Sequence, residues 1–333
     1  ALPISKENPK FASAPNNLKV VIRDASQPVQ LLNEGYWGMN FVEGERYILR
    51  TIIRTSSDYK GKVTVRLLSS EGKILSSETL DIINGGEWND VKKTLTAVGH
   101  DSKGRLALEF DSPGTVWVDY VSLFPENTFN NRPNGLRRDV AEMLVGLKPA
   151  FFRWPGGCVV EGITLDNRFE WKKTLGDPAA RPGEYSTWGY RCSYGFGYYE
   201  MLQFCEDIGA KAMFVCNVGL GCQFRMGDAC GEHDIDFYID DCLDAIEYAL
   251  GDESTEWGAR RAADGHPAPF PLQYVEIGNE NWGAEYDRRF DIFYKTIKEK
   301  YPQLTLIYNE MPQRDGASQI TKTDMIDPHW YVD

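Results

Sequence analysis

The chain has 333 residues, 42% of them hydrophobic, with a formal net charge of -13 and a pI near 4.9. That length is too great for one small core and implies two units, one of them a large α/β domain, while the acidic balance leaves no basic stripe for phosphates and excludes nucleic acid as a partner. No apolar run is long enough to span a membrane, so no membrane partner is expected. The start, Ala1-Leu2-Pro3-Ile4-Ser5-Lys6, has no charged stretch leading into an apolar one, so a secretory leader was either removed or never there.

The 9 Trp, 17 Tyr and 16 Phe are many for this length; such faces stack on the C–H faces of sugar rings, although most of them belong in cores. Seven cysteines, an odd number confined to residues 158 to 242, do not form a disulfide framework and read as core or pocket thiols. Cys222 and Cys230, in one Gly-rich stretch, are the pair able to close a loop. His100, His233, His266 and His329 are far apart in sequence, so neither a metal nor another cofactor is expected.

In chain order, short β-rich runs alternate with turn signals from about Leu18 to Leu123. Val63 to Leu68, Glu87 to Val91, Leu106 to Phe110 and Thr115 to Val121 are separated by Glu71-Gly72, Gly85-Gly86 and Ser112-Pro113-Gly114. This spacing predicts an all-β jelly roll or sandwich over residues 1–128. Trp37, Trp88 and Trp117 are its candidates for ring stacking, with Trp117 better suited to the core because it lies in an alternating strand.

The Asn- and Pro-rich segment Pro125 to Pro133 reads as the boundary. Beyond it the period changes. Leu136, Val140, Met143, Leu144 and Leu147 mark one face of a helix, followed by a strand at Ala150 to Trp154 that runs into Pro155-Gly156-Gly157-Cys158. The alternation recurs with a helix near Phe196 to Ile208 before the strand Ala212 to Asn217, and a helix carrying Ile235, Ile239, Cys242 and Ile246 before Tyr274 to Trp282. A helix with Phe290, Phe293, Ile297 and Tyr301 then precedes Leu304 to Tyr308, and Met325 to Tyr331 reads as a fifth strand end. The strands end in polar or Gly-rich residues, which predicts a parallel (β/α)8-type barrel with its site at one mouth. No Gly-x-Gly-x-x-Gly follows a first strand, which argues against a dinucleotide fold.

The most informative of these ends is Tyr274-Val275-Glu276-Ile277-Gly278-Asn279-Glu280-Asn281-Trp282. Gly278 lets the backbone bend, the Asn279 amide can grip a hydroxyl, and Glu280 projects at the mouth of the sheet.

These residues carry a resemblance. Phe152-Arg153-Trp154-Pro155-Gly156-Gly157-Cys158-Val159-Val160-Glu161-Gly162, Arg181-Pro182-Gly183, Trp257-Gly258 with Gly265-His266-Pro267, Tyr274 to Asn281 and His329-Trp330-Tyr331 resemble the α-L-arabinofuranosidases of glycoside hydrolase family fifty-one over roughly residues 132 to 333. The β-rich part is similar to jelly-roll carbohydrate-binding modules attached to glycosidases. The resemblance implies a retaining enzyme without cofactor that releases terminal arabinofuranosyl groups from arabinose-containing glycans, secreted or periplasmic. It implies Glu280 as general acid/base, its pKa raised by desolvation and a second carboxylate. Asn279, Arg153, Gly157, Cys158 and Asn217 are implied on the substrate side, and His329 and Tyr331 near the nucleophile.

The family's nucleophile follows the His-x-Tyr strand and has no match before Asp333, and a first strand has none ahead of the β-rich part. Residues 129–333 are therefore expected to form strands two to six of the barrel, inactive alone and completed by a segment of the parent chain or by oligomerisation. Glu310 is a further carboxylate that would need to lie about 5 to 5.5 Å from Glu280 to replace the nucleophile. A non-catalytic glycan-binding protein and an endo-acting glucanase or xylanase of the same clan are the alternatives.

Overall fold

The computed structural model describes residues 4–312 and 318–331. Its internal contacts divide the chain into two compact units, Ala1–Gly146 and Leu147–Asp333.

The first unit contains β1 (Ile4–Ser5), β2 (Asn17–Ile22), β3 (Val29–Asn33), β4 (Met39–Phe41), β5 (Arg46–Thr55), β6 (Val63–Leu68), β7 (Ile74–Thr79), β8 (Asn89–Thr96), β9 (Asp101–Phe110) and β10 (Gly114–Pro125). They form two antiparallel sheets, β1-β2-β10-β5-β8 and β3-β9-β6-β7, with β4 added along β9. Side-chain alternation dictates the arrangement: in β6, Val63, Val65 and Leu67 are buried while Thr64 and Arg66 point outward. Leu49, Ile53 and Val116 from one sheet share a core with Val65, Leu67, Leu106 and Leu108 from the other, giving the expected sandwich.

Of the three tryptophans marked for stacking, Trp117 lies under the Arg54 guanidinium, 3.9 Å from its ring centroid. Trp88 donates its indole N–H to the Asn8 carbonyl at 2.8 Å. Trp37 stands 88% exposed, edge-on to Tyr36.

The contacts divide the units between Gly146 and Leu147, after the segment read as the boundary. β10 runs to Pro125, Thr128 bridges back to Arg137, and helix α1 (Arg138–Gly146) follows within the first unit. Periodicity places α1 correctly but not its burial: Ala141 is buried, whereas Val140, Met143, Leu144 and Leu147 are exposed.

The second unit contains β11 (Phe151–Trp154), a small hairpin of β12 (Glu184–Tyr185) and β13 (Arg191–Cys192), α2 (Tyr198–Ile208), β14 (Lys211–Cys216), α3 (Ile235–Leu250), α4 (Glu256–Ala263), β15 (Leu272–Asn281), α5 (Ala284–Lys300), β16 (Thr305–Glu310) and β17 (Met325–Pro328). Strands β11, β14, β15, β16 and β17 pair in parallel, and their spatial order is their chain order. Each crossover adds a strand to the same edge, which winds a barrel wall; a doubly wound sheet would reverse direction. The five strands form the curled half-barrel that the sequence predicts.

Tyr198, Met201, Leu202 and Cys205 of α2, Ile239, Cys242 and Ile246 of α3, and Phe290, Phe293 and Ile297 of α5 pack against Phe214, Val275, Ile277 and Leu306 of the strands. Helix α4 escapes a hydrophobic-period search because the group it buries is polar. Arg261, fully buried, donates to the carbonyls of Tyr248, His266 and Pro267 at 2.8, 2.9 and 2.7 Å. All seven cysteines are free, so Cys222 and Cys230 do not pair.

Candidate active site

The carboxyl ends of the five parallel strands fall on one edge, and the conserved direction of a parallel wall gathers their terminal side chains there. β15 contributes most. Its ladder with β16 is irregular between Ile277 and Asn281, where Gly278 adopts φ +83°. A Cβ at Gly278 would stand 2.4 Å from Asn281 Oδ1 and 2.9 Å from the Tyr286 ring, so only glycine fits. Two residues later Glu280 is held at φ 49°, a left-handed conformation that a non-glycine residue keeps only where its surroundings fix it. Asn309 of β16 does so by accepting the Glu280 N–H on Oδ1.

The Glu280 side chain is about nine-tenths buried. Tyr331 O–H donates to Oε1, and His329 Nδ1 lies 3.0 Å from the same oxygen. Oε2 faces the Cys158 thiol at 4.0 Å. His329 is bracketed by acids, with Nε2 3.1 Å from Asp327 Oδ2, and those two carboxylates push its pKa up to about 9. It is an imidazolium donating from both nitrogens at neutral pH.

The expectation of a raised pKa for Glu280 is corrected. The His329 hydrogen bond, followed by that of Tyr331, outweighs burial and holds the carboxyl below its ordinary value. The donors implied beside the nucleophile lie on Glu280 itself.

Behind Glu280 sits a buried ion pair. The Arg153 guanidinium grips Glu276 through Nε and Nη2, the latter 3.1 Å from Oε1, and gives a further hydrogen bond to Asn279 Oδ1 at 2.9 Å. Asn309 Nδ2 also donates to Glu276. Desolvation nevertheless raises the pKa of Glu276, whose side chain has no exposure. Asn279 is buried, and its Nδ2 has no hydrogen-bond partner among the described residues. That amide interacts with the buried Glu161 carboxyl without a hydrogen bond of good geometry.

Gly156 lies directly against this pair. At φ +64° it turns the chain so closely under Arg153 that a Cβ would meet Nη1 at 2.4 Å. Gly157, at φ +63°, has open space where its side chain would stand. The two alanine substitutions should therefore differ. Both incur a left-handed backbone penalty of about 1–3 kcal/mol, and Gly156→Ala should lose more in urea midpoint because it also displaces Arg153.

Asn217 is placed differently from the other predicted residues. Its Nδ2 donates to the carbonyls of Val160 and Leu220, both at 3.1 Å, and its Oδ1 accepts from Gly219 and Leu220 at 2.6 and 3.2 Å. These bonds shape the turn after β14. Glu310 is in register with Asn281, and its carbonyl takes the His329 N–H at 2.9 Å.

Sequence reasoning passed over Glu276, Asn309, Asp327 and the buried Glu161. Glu276 had a signal, since a carboxylate inside an apolar strand needs a cation, and Arg153 supplies one from β11, across β14.

The profile of the α-L-arabinofuranosidase 1 domain matches residues 143–333. The chain belongs to the α-L-arabinofuranosidases of glycoside hydrolase family fifty-one. Among the relatives of this family, α-L-arabinofuranosidase 1 of Arabidopsis thaliana is 38% identical over 311 residues, 91% of this chain and 44% of the relative. The extracellular exo-α-L-arabinofuranosidase of Streptomyces chartreusis is 34% identical, covering 90% of this chain and 38% of that protein. The arabinose-bound structure of the MgGH51 α-L-arabinofuranosidase superposes with a TM-score of 0.89 at 31% identity, over 96% of this chain and 53% of the other. The chain thus spans about half the length of the curated arabinofuranosidases it matches. Among its described residues, no helix is long and apolar enough to cross a membrane.

The charged pair His329 and Glu280 makes stability depend on pH with a definite sign. His329's folded pKa of about 9 exceeds its ordinary 6.5, so its contribution is complete below about 6.5 and is lost as pH rises through 9. Glu280, lowered from 4.5, contributes above that value and loses its contribution as pH falls below it. Urea midpoints of the parent should decline between pH 6.5 and 9, and His329→Gln should flatten that decline. Equal slopes would remove the ion pair from the account.

Proposed function

We propose that the protein carrying this sequence is a retaining glycosidase that releases terminal α-L-arabinofuranosyl groups from arabinose-containing glycans, with Glu280 as its acid/base residue. The observation that carries the reading is the placement of Glu280 at a parallel strand end, nine-tenths buried, with one oxygen saturated by donors and the other directed toward Cys158. Family membership and the arabinose-bound structural relative support the substrate class.

The chemistry follows from the two oxygens. Oε1 is committed to Tyr331 and His329, so Oε2 is the oxygen that holds the transferable proton. A second carboxylate about 5 to 5.5 Å away attacks the anomeric carbon while Glu280 protonates the leaving oxygen; Glu280 then takes a proton from water as the glycosyl ester is hydrolysed. The ionised state favoured by His329 suits the second, basic role. Sugar entry and the charge of the nucleophile both raise the pKa toward the value the first step needs. The nucleophile itself is proposed to come from sequence outside these 333 residues.

Arg153 holds Asn279 by its oxygen, and Nδ2, which interacts with the Glu161 carboxyl, is the donor proposed to turn to a sugar hydroxyl. Gly157 and Cys158 line the same side. An extracellular setting, stated in the name of the Streptomyces relative, suits a polymeric substrate.

Product analysis on an arabinan or arabinoxylan decides the matter. The proposal expects free arabinose as the first product, whereas an endo-acting enzyme of the same clan releases oligosaccharides. Binding without any hydrolysis by the complete protein would instead favour the non-catalytic reading, for which exposed Trp37 is a surface to mutate.

A further inference from the structure

At and behind Cys158 lies a group of side chains of which the glycosidase reading uses only Cys158. Cys158, Glu161 and Cys222 are 7%, 2% and 1% exposed, and one donor atom from each lies within 4.8 Å of the other two. Glu161 Oε1 accepts from Asn281 Nδ2 at 2.6 Å. Its other oxygen, Oε2, is buried and makes no hydrogen bond of good geometry among the described residues, although the Asn279 amide and the Cys222 thiol interact with the carboxyl. A buried carboxylate oxygen left unsatisfied is unfavourable, and most such atoms in folded proteins have a partner.

The scaffold around the three side chains is tied down. Cys222 N–H donates to the Gly162 carbonyl at 3.3 Å, Gly221 N–H to the Asp228 carbonyl at 2.7 Å, and Leu165 N–H to Asp228 Oδ2 at 3.0 Å. Gln223 clamps Trp282 by accepting its N–H and donating to its carbonyl, both at 3.0 Å. The loop bearing Cys222 is therefore fastened both to the segment bearing Cys158 and Glu161 and to the end of β15.

We propose that Cys158, Cys222 and Glu161 form a binding site for one thiophilic divalent cation, of the zinc and cadmium class, with a water as fourth ligand. Two sulfurs and one carboxylate oxygen are a donor set suited to tetrahedral zinc. Two thiolates on one such ion lie roughly 3.8 Å apart, so the side chains need to contract by about 1 Å from their outer limit. Binding displaces the thiol protons and any proton on Glu161, so the dication with three anionic ligands carries one net negative charge. Arg225, whose charge acts on both thiols, offsets it. The cation fills the coordination vacancy of Glu161 Oε2.

Occupancy would also place a cation on the thiolate that faces Glu280 Oε2. Given the proposed role of Glu280, which this consequence alone rests on, the metal acts as an inhibitor by opposing protonation of that oxygen.

The test is titration of the reduced full chain with Cd2+ alone, followed by the near-ultraviolet thiolate-to-metal charge-transfer band, with Zn2+ as competitor. The site predicts a band saturating at one ion per chain, lost in Cys158→Ser and in Cys222→Ser, and retained when Cys192 and Cys230 are both changed to serine. Removing an outer-shell partner weakens metal sites about 10- to 100-fold, so Glu161→Gln, which removes a ligand, should weaken Cd2+ binding at least tenfold. Far-UV circular dichroism checks folding; should a cysteine variant not fold, the isosteric Glu161→Gln decides. No saturable band in the reduced parent, a band surviving in Cys222→Ser, or unchanged affinity in Glu161→Gln each overturns the site. The readout is binding, so it stands or falls independently of arabinofuranoside turnover.

Discussion

Glutamine at position 280 is expected to lower kcat/KM of the complete enzyme by about 10²- to 10⁴-fold on an arabinofuranoside with a strongly basic leaving group. The substitution keeps the shape of the site, because an amide oxygen still accepts from Tyr331 and His329, and it removes the proton that Oε2 would deliver. On a dinitrophenyl arabinofuranoside, whose leaving group departs without protonation, the first step should survive largely intact. The second step should then limit turnover, because no base remains to activate water. A small anion such as azide needs no base, and should restore turnover by taking the glycosyl group as an arabinosyl azide of retained configuration. A purely structural Glu280 predicts a different pattern, in which both substrates lose activity equally and azide does nothing. Chemical rescue therefore separates an acid/base residue from a merely positioned one.

How much of this was legible in the sequence depends on where each signal lives. The parallel wall was readable because its strands are apolar runs separated by helical periods, and Tyr274 to Trp282 announces both a strand and its polar end. The position of Glu280 follows from that strand alone. Its protonation state does not, because the groups that set it, His329 and Tyr331, are about fifty residues distant and reach it only across two intervening strand pairings. Helix α4 was missed for a related reason: Arg261 is buried on carbonyl hydrogen bonds, and a hydrophobic period cannot register a buried arginine. Conversely, the apolar face of α1 gave a strong period and yet is exposed, since periodicity reports what a helix could bury and not what covers it. The Asn217 amide sits at a strand end as Glu280 does, but its hydrogen bonds go to backbone groups, three within the turn it caps and one across to the Val160 carbonyl. Nothing in residue type distinguishes that use from a ligand contact.

Arg153→Met should be the most destabilising single change in the site. Methionine retains much of the aliphatic stem, so packing is largely preserved, while Glu276, whose side chain has no exposure, loses the guanidinium it pairs with and keeps only the more distant His329 as a nearby cation. Removing one member of a buried pair typically costs about 3–5 kcal/mol; Arg153 keeps 25% exposure, which argues for the lower end of that range. The loss should depend on pH. Glu276 already has its pKa raised by burial, and without Arg153 it rises further. An acid whose folded pKa exceeds its unfolded value favours the folded state when protonated and loses that advantage as pH rises toward the folded pKa. Urea midpoints should therefore place the variant nearer the parent at pH 4.5 than at pH 8. Arg153→Met combined with Glu276→Gln should recover a large part of the loss, because a neutral amide still pairs with Asn309 and position 276 no longer buries a charge. Additive losses in the double variant would mean that the two side chains stabilise the wall separately.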